Sequence, residues 1–145
     1  MTDGTGESDI RAIIEARTAA VRAGDADAMV VDVAEEIVTF DVVDPLRRIG
    51  KAGERERANE WTASYDGPVA WESRDVVVEV ADDLVFSHSL SHVTGKLKTG
   101  AAIDMWFRTT LGLRRTGDRW LIVHEHNSSP FNPDTGAASV GLKPA

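Results

Sequence analysis

With 145 residues, 42% of them apolar and 28% charged, the chain has the make-up of one folded domain, long enough to bury a single substantial core. A formal net charge of −8 argues against nucleic acid as a partner, because phosphate contacts need clustered Lys and Arg, and the basic pairs at 47–48 and 114–115 sit among acids. The absence of cysteine removes disulfides, thiolate metal sites and cysteine nucleophiles together, and leaves the redox compartment open. The start "MTDGTGESDI" is acidic and polar, unlike a signal peptide, and no apolar run approaches the roughly 20 residues of a membrane span. The expectation is a cytoplasmic protein with no membrane partner.

Residues 1–7 read as a loose lead-in, 8–132 as the folded domain and 133–145 as a surface tail rich in Gly, Pro and small residues. Ser8 or Asp9 caps a first helix in which Ile10, Ile13, Ile14, Arg17 and Val21 recur at helical spacing, with Gly24 as its stop. "DADAMVVDVAEE" reads as a short second helix capped by Asp25. "EIVTFDVVD" is rich in Val, Ile and Phe, hence a strand ended at Pro45, and "LRRIG" is a short strand beside it. A third helix covers about Lys51 to Ser64 and ends at Gly67-Pro68. Four long strand-like segments follow, "VAWESRDVVVEVA", "DLVFSHSLSHVTGKLK", "AIDMWFRTTLGLRR" and "RWLIVHEHNSS", separated by "DD", "TG" and "TGD" turns. Helices followed by an antiparallel meander give an α+β fold, a curved sheet covered on one side by helices.

That order resembles the cone-shaped nuclear transport factor 2-like superfamily, over roughly residues 8 to 132. "FDVVDPLRRIG" is similar to the family's first hairpin, and "RTTLGLRR-TGD-RWLIVHEHNSSPF" resembles the last hairpin of its SnoaL-like and ketosteroid-isomerase-like branch. A similar "W…HxHxS" ending occurs in the association domain of calmodulin-dependent kinase II. The resemblance implies three helices packed on a curved antiparallel sheet, a pocket between them, and a homodimer through the outer sheet face. It leaves function open, since the superfamily holds isomerases, cyclases, dehydratases, hydrolases and pure assembly domains.

His124 and His126 share a face of one strand, so both imidazoles can meet one metal. No acid follows closely, HExxH is absent, and a third ligand has to come from His88 or His92 on another strand. The reading is therefore packing beside Trp120 and Ile122, with no metal and no cofactor. A plain two-residue turn in the last hairpin sets Trp106, Arg108 and Thr110 beside Val123, Glu125 and Asn127. Such a group suits a polar corner in an apolar pocket. A turn with a bulge instead brings His124 and His126 beside Arg108, so Glu125 and His126 are alternatives. Arg108 either lines the pocket or pairs with Glu125 on a surface.

By match to the ketosteroid isomerases, the proton-shuttling Asp directly before a proline falls at Asp44, with Asp41 as a second carboxylate nearby. The simpler reading of Asp44 is turn chemistry. The isomerase pattern then breaks. Its Tyr donor on a neighbouring helix has no counterpart beyond Tyr65, and its uncharged Asp falls at about Thr110. Steroid isomerisation is therefore not expected. In "VFSHSLSHV" the larger residues are expected inward, so His88 is either a half-buried histidine paired with a neighbouring strand, the simpler reading, or an acid or base near the pocket mouth. Trp61, Trp71 and Met105 read as core, and "GERERANE" as a solvated helix face.

Two functions fit these residues. One is a cofactor-free isomerase, cyclase or lyase on a small organic molecule, with Asp44 or His88 as acid/base and Arg108 orienting an anionic or carbonyl oxygen. The other is a non-catalytic ligand-binding or dimeric assembly module. A dry, small cavity favours the second and an open one with Asp44 and Arg108 pointing in favours the first, the reading preferred here.

Overall fold

The computed structural model describes residues 3–145 and has the α+β architecture that the sequence implies. Helix α1 (Asp3–Ala23) begins before the expected caps at Ser8 or Asp9, so the lead-in read over residues 1–7 is helical from residue 3; Met1 and Thr2 lie outside the described residues. Its inner stripe is Ile10, Ile14, Arg17, Thr18 and Val21, spaced to fall on one side of a 3.6-residue helix. Gly24 stops it in the left-handed conformation, φ 66°, with its N–H on the Val21 carbonyl. Helix α2 (Ala26–Met29) is capped by Asp25, whose Oδ1 accepts the Ala28 N–H at 3.0 Å. It is shorter than expected, because β-branched Val30, Val31 and Val33 favour extended backbone and strand β1 (Val33–Phe40) takes over.

Strand β2 (Arg48–Ile49) turns back on β1, and helix α3 (Lys51–Ala63) follows. Strands β3 (Ala70–Ala81), β4 (Leu84–Lys96), β5 (Ala102–Thr116) and β6 (Arg119–Ser128) form the meander. The single curved, unclosed sheet has the order β2-β1-β6-β5-β4-β3, antiparallel except for the parallel β1–β6 pair. Two bulges bend it. In β3, Asp75 and Val76 lie opposite Ser89 alone, with Asp75 at φ 56°. In β6, Val123 is the extra residue between the pairs Leu113↔Ile122 and Gly112↔His124.

The main core gathers Ile10, Val33, Ile37, Leu111, Leu113, Trp120 and Ile122 between helices and sheet. Each fully buried aliphatic among them contributes roughly 1.5–3 kcal/mol by leaving water. A second cluster at the other end holds Tyr65, Val69, Val93 and Phe107, with Trp61 and Trp71 against it. In β4 the expected orientation is reversed. Val85, Ser87 and Ser91 are buried on the inner face, whereas Phe86 and His88 are exposed on the outer one. The small serines leave room beneath the helices, where the larger alternating residues would have filled it.

Gly95 matters for the second cluster, since a Cβ there would sit 2.8 and 2.9 Å from ring carbons of Tyr65. Gly95→Ala must displace a ring already wedged edge-to-face against Trp61. We expect a loss of about 1–3 kcal/mol in urea unfolding, typical of core overpacking.

Candidate functional site

Between the two core clusters lies a cavity of about 310 Å³, bounded by α1, α3 and the inner sheet face. That is the lower end of the ~300–1,000 Å³ range of ligand pockets, enough for one or two rings. One end is aromatic. Trp61 meets Tyr65 and Trp71 edge-to-face at centroid separations of 5.0 and 6.0 Å, and Trp71 meets Phe107 in the same way at 5.3 Å.

The sheet wall carries a directed hydrogen-bond chain. The Thr109 hydroxyl donates to Asn127 Oδ1 at 2.9 Å, and Asn127 Nδ2 donates to Glu125 Oε2 at 2.9 Å. Because Thr109 has one hydroxyl hydrogen, Ser91 must donate in the 2.7 Å contact between their oxygens. The chain therefore runs Ser91→Thr109→Asn127→Glu125 and ends on a carboxylate. Arg17 Nη2 closes it from α1, 2.7 Å from Glu125 Oε1. Glu125's side chain is only 14% exposed. Burial alone would push its carboxyl up, but the Arg17 charge, the hydrogen bonds from Asn127 and Arg17, and the Arg48 charge outweigh it and hold the group below its ordinary value.

At the other side of the cavity Arg48 bridges two carboxylates, Asp41 at 3.0 Å and Glu54 at 3.1 Å. Burial opposes its charge, but hydrogen bonds and charges from Glu54 and Asp41 prevail and raise its pKa above the usual arginine value. Glu54, Arg57, Ala58, Trp61 and Tyr65 bring one flank of α3 and its C-terminal turn to the cavity. The segment read as a solvated face thus contributes two charges to the lining, and Trp61, Trp71 and Met105 line it as well as packing. Burial raises the Tyr65 phenol, opposed by its contact with Trp61 and by the Arg57 charge.

The residues singled out in the sequence divide between the two sheet faces. Asp41, Glu125 and Asn127 line the cavity. Asp44 is exposed in the β1–β2 connection, three residues beyond Asp41. Arg108, Thr110, Trp106, His88 and His126 belong to the outer face, because the Val123 bulge sets Thr110 opposite His126 and Arg108 opposite Ser128. Arg108 Nε donates to Ser128 Oγ at 3.1 Å. Also on that face, His92 hydrogen-bonds Glu72 at 2.9 Å and Asp104 at 2.7 Å and stacks on Trp106 at 4.3 Å. The Asp104 contact is the main reason its pKa is raised. His124 Nδ1 lies 2.7 Å from the Val38 carbonyl oxygen. No group of three His, Asp or Glu placed to hold a metal occurs among the described residues.

Arg17, Arg48, Arg57, Ser91 and Thr109 were not read as site residues. Arg17 left one signal, a cation inside an apolar helical stripe. Glu54, Arg57, Ala58 and Trp61 left another in their three- and four-residue spacing.

The model of the SnoaL-like domain family matches residues 10–132. An NTF2-like protein of unknown function from Pseudomonas putida KT2440 is 32% identical, with 97% of this chain and 98% of that one covered and a TM-score of 0.88. A ketosteroid isomerase-like protein from Erwinia carotovora atroseptica shares the fold at 22% identity, with coverage of 85% and 96% and a TM-score of 0.71. So does a function-unknown protein from Mycobacterium tuberculosis, at 16% identity, with coverage of 99% and 82% and a TM-score of 0.76. No curated protein matches the chain.

Arg17→Met leaves Glu125 buried without its cation. We expect a loss of about 2–3 kcal/mol at pH 7, the low side for breaking a buried pair because the Arg17 side chain keeps 26% exposure. In the wild type the depressed Glu125 pKa contributes stability above the unfolded value of about 4.3, lost as pH falls through the folded value. In the variant, burial raises that pKa and protonation relieves the cost. The gap between the two unfolding curves should therefore narrow from pH 7 toward pH 4, and Arg17→Met with Glu125→Gln should recover most of it.

Proposed function

The chain belongs to the SnoaL-like domain family, and from that premise we propose that its cavity binds a small organic molecule. One observation carries this reading: a carboxylate paired with Arg17 at the end of a four-residue hydrogen-bond chain, set into an aromatic-walled cavity. A buried ion pair stabilises a fold little compared with apolar residues of the same volume. A few fixed polar groups in an apolar recess are, by contrast, what orients a ligand. The rings of Trp61, Trp71 and Phe107 take the apolar body, and the Ser91–Thr109–Asn127 wall takes a polar substituent.

A second reading, a cofactor-free isomerase, cyclase or lyase, draws on Asp41. Asp41 and Glu54 share the single cation Arg48, so this trio keeps one net negative charge beside the cavity. Asp41 would be its base, ahead of the exposed Asp44 and of His88 on the outer face. Binding without turnover is the better supported of the two, because every lining carboxylate is already paired with a guanidinium.

We assign a second copy of the chain to the outer sheet face, which leaves Phe40 37% and Phe86 54% exposed in two adjacent rows with His88, His124 and His126. The net charge of −8 speaks against nucleic acid on that face. Among the described residues, no helix is long and apolar enough to cross a membrane.

Native mass spectrometry of the protein as purified, then with small ring compounds added, tests both assignments. The expected species is a dimer that takes up one organic molecule per chain and loses it in Ser89→Trp, which fills the cavity from β4. A monomer contradicts the outer-face assignment. A protein that takes up none of the compounds contradicts the pocket.

A further inference from the structure

We propose that the cavity selects organic monocarboxylic acids, and that Arg57 is the residue that receives the carboxylate. The inference rests on the binding reading above and goes further by naming the ligand's charge and its anchor.

Three guanidinium groups and three carboxylates line the cavity. Arg17 is engaged by Glu125 at 2.7 Å, and Arg48 by Asp41 and Glu54 at 3.0 and 3.1 Å. Arg57 alone of the three has no carboxylate within 4.0 Å among the described residues, and it makes no hydrogen bond there. It is partly buried and stands one helical turn before Trp61, on the flank of α3 that faces the cavity. Its charge also reaches the Tyr65 hydroxyl.

A partly buried cation beside aromatic walls lacks both full hydration and a counter-ion, so an anion that enters with its own apolar body gains at both ends. Arg presents a planar fork that matches a carboxylate through two parallel N–H···O bonds. The same count limits the anion's charge. Three cations and three carboxylates leave the lining without net charge, so once Arg57 has paired the first negative charge, the second charge of a dianion such as a phosphate monoester finds no cation and must be desolvated unpaired. The cavity's size restricts the rest of the molecule to about one or two rings.

The test compares 2-naphthoate, naphthalen-2-ylmethanol and 2-naphthyl phosphate by isothermal titration calorimetry near neutral pH. These share one ring system and differ in charge. The proteins are the wild type, Arg57→Gln and Arg57→Lys, each checked for an unchanged melting midpoint. We expect the wild type to bind naphthoate at least tenfold more tightly than the alcohol, and more tightly than the phosphate. Arg57→Gln should reduce naphthoate to the affinity of the alcohol and leave the alcohol within twofold, while Arg57→Lys should fall between. Equal wild-type affinity for naphthoate and alcohol overturns the acid preference and leaves the pocket standing. An unchanged preference in Arg57→Gln, or in Arg57→Lys if the glutamine variant does not fold, removes Arg57 from the role. If neither naphthoate nor the alcohol binds the wild type, the pocket reading fails and this inference falls with it.

Discussion

The constraint from which the rest of the site follows is a carboxylate on the wrong side of the sheet for an ordinary core. Glu125 sits on the inner face of the last strand, beneath the helices, where its charge has little water. It has to be met by a cation from the helical layer and by donors from its own sheet. Arg17 supplies the first, at a polar break in the apolar stripe of α1. Asn127, fixed by Thr109 and Ser91, supplies the second. Three strands and a helix are thereby tied to one ionisation state.

The cavity beside this pair results from a mismatch in side-chain size. The inner face of β4 offers serines where the outer face offers Phe86, Leu90 and two histidines, while the far end is closed by Trp61, Tyr65, Trp71 and Phe107. Helix α3 is not packed down into the space, and none of its residues is fully buried. Arg48 ties its first turn, through Glu54, to Asp41 just past the end of β1, and the aromatic cluster holds its last turn. The middle of the helix lines the cavity and brings Arg57 to it. A polar sheet wall, an aromatic end and a cation without a carboxylate partner among the described residues are separate products of local sequence, and they meet only because the sheet curves.

Much of the architecture was legible because it depends on period and punctuation. The third helix and the four meander strands lie within a few residues of their expected bounds, since alternation and the Asp-Asp, Thr-Gly and Thr-Gly-Asp turns are local signals. The site was less legible because it depends on register. A single extra residue, Val123, moves Glu125 and Asn127 onto the same face as Thr109 and sends Arg108, Thr110 and His126 to the other. Nothing local in "LIVHEHN" marks that bulge. The direction of β4 was obscured for another reason: large residues usually point into a core, and here a cavity replaces the core at that point. The charges of α3 were hidden by their type, because glutamate and arginine on a helix usually face water.

The organisation of the site depends on Arg17 and Asn127 holding Glu125 ionised inside the domain. Carbon-13 NMR of the side-chain carboxyl, assigned by its loss in Glu125→Gln and followed from pH 7 downward, tests this most directly. The Glu125 resonance should keep its carboxylate position down through the range near pH 4.3 where a free glutamate side chain protonates, and move only below it. A resonance that moves at or above that range would mean that burial outweighs Arg17 and Asn127, and the organisation of the site around an ionised carboxylate would be wrong.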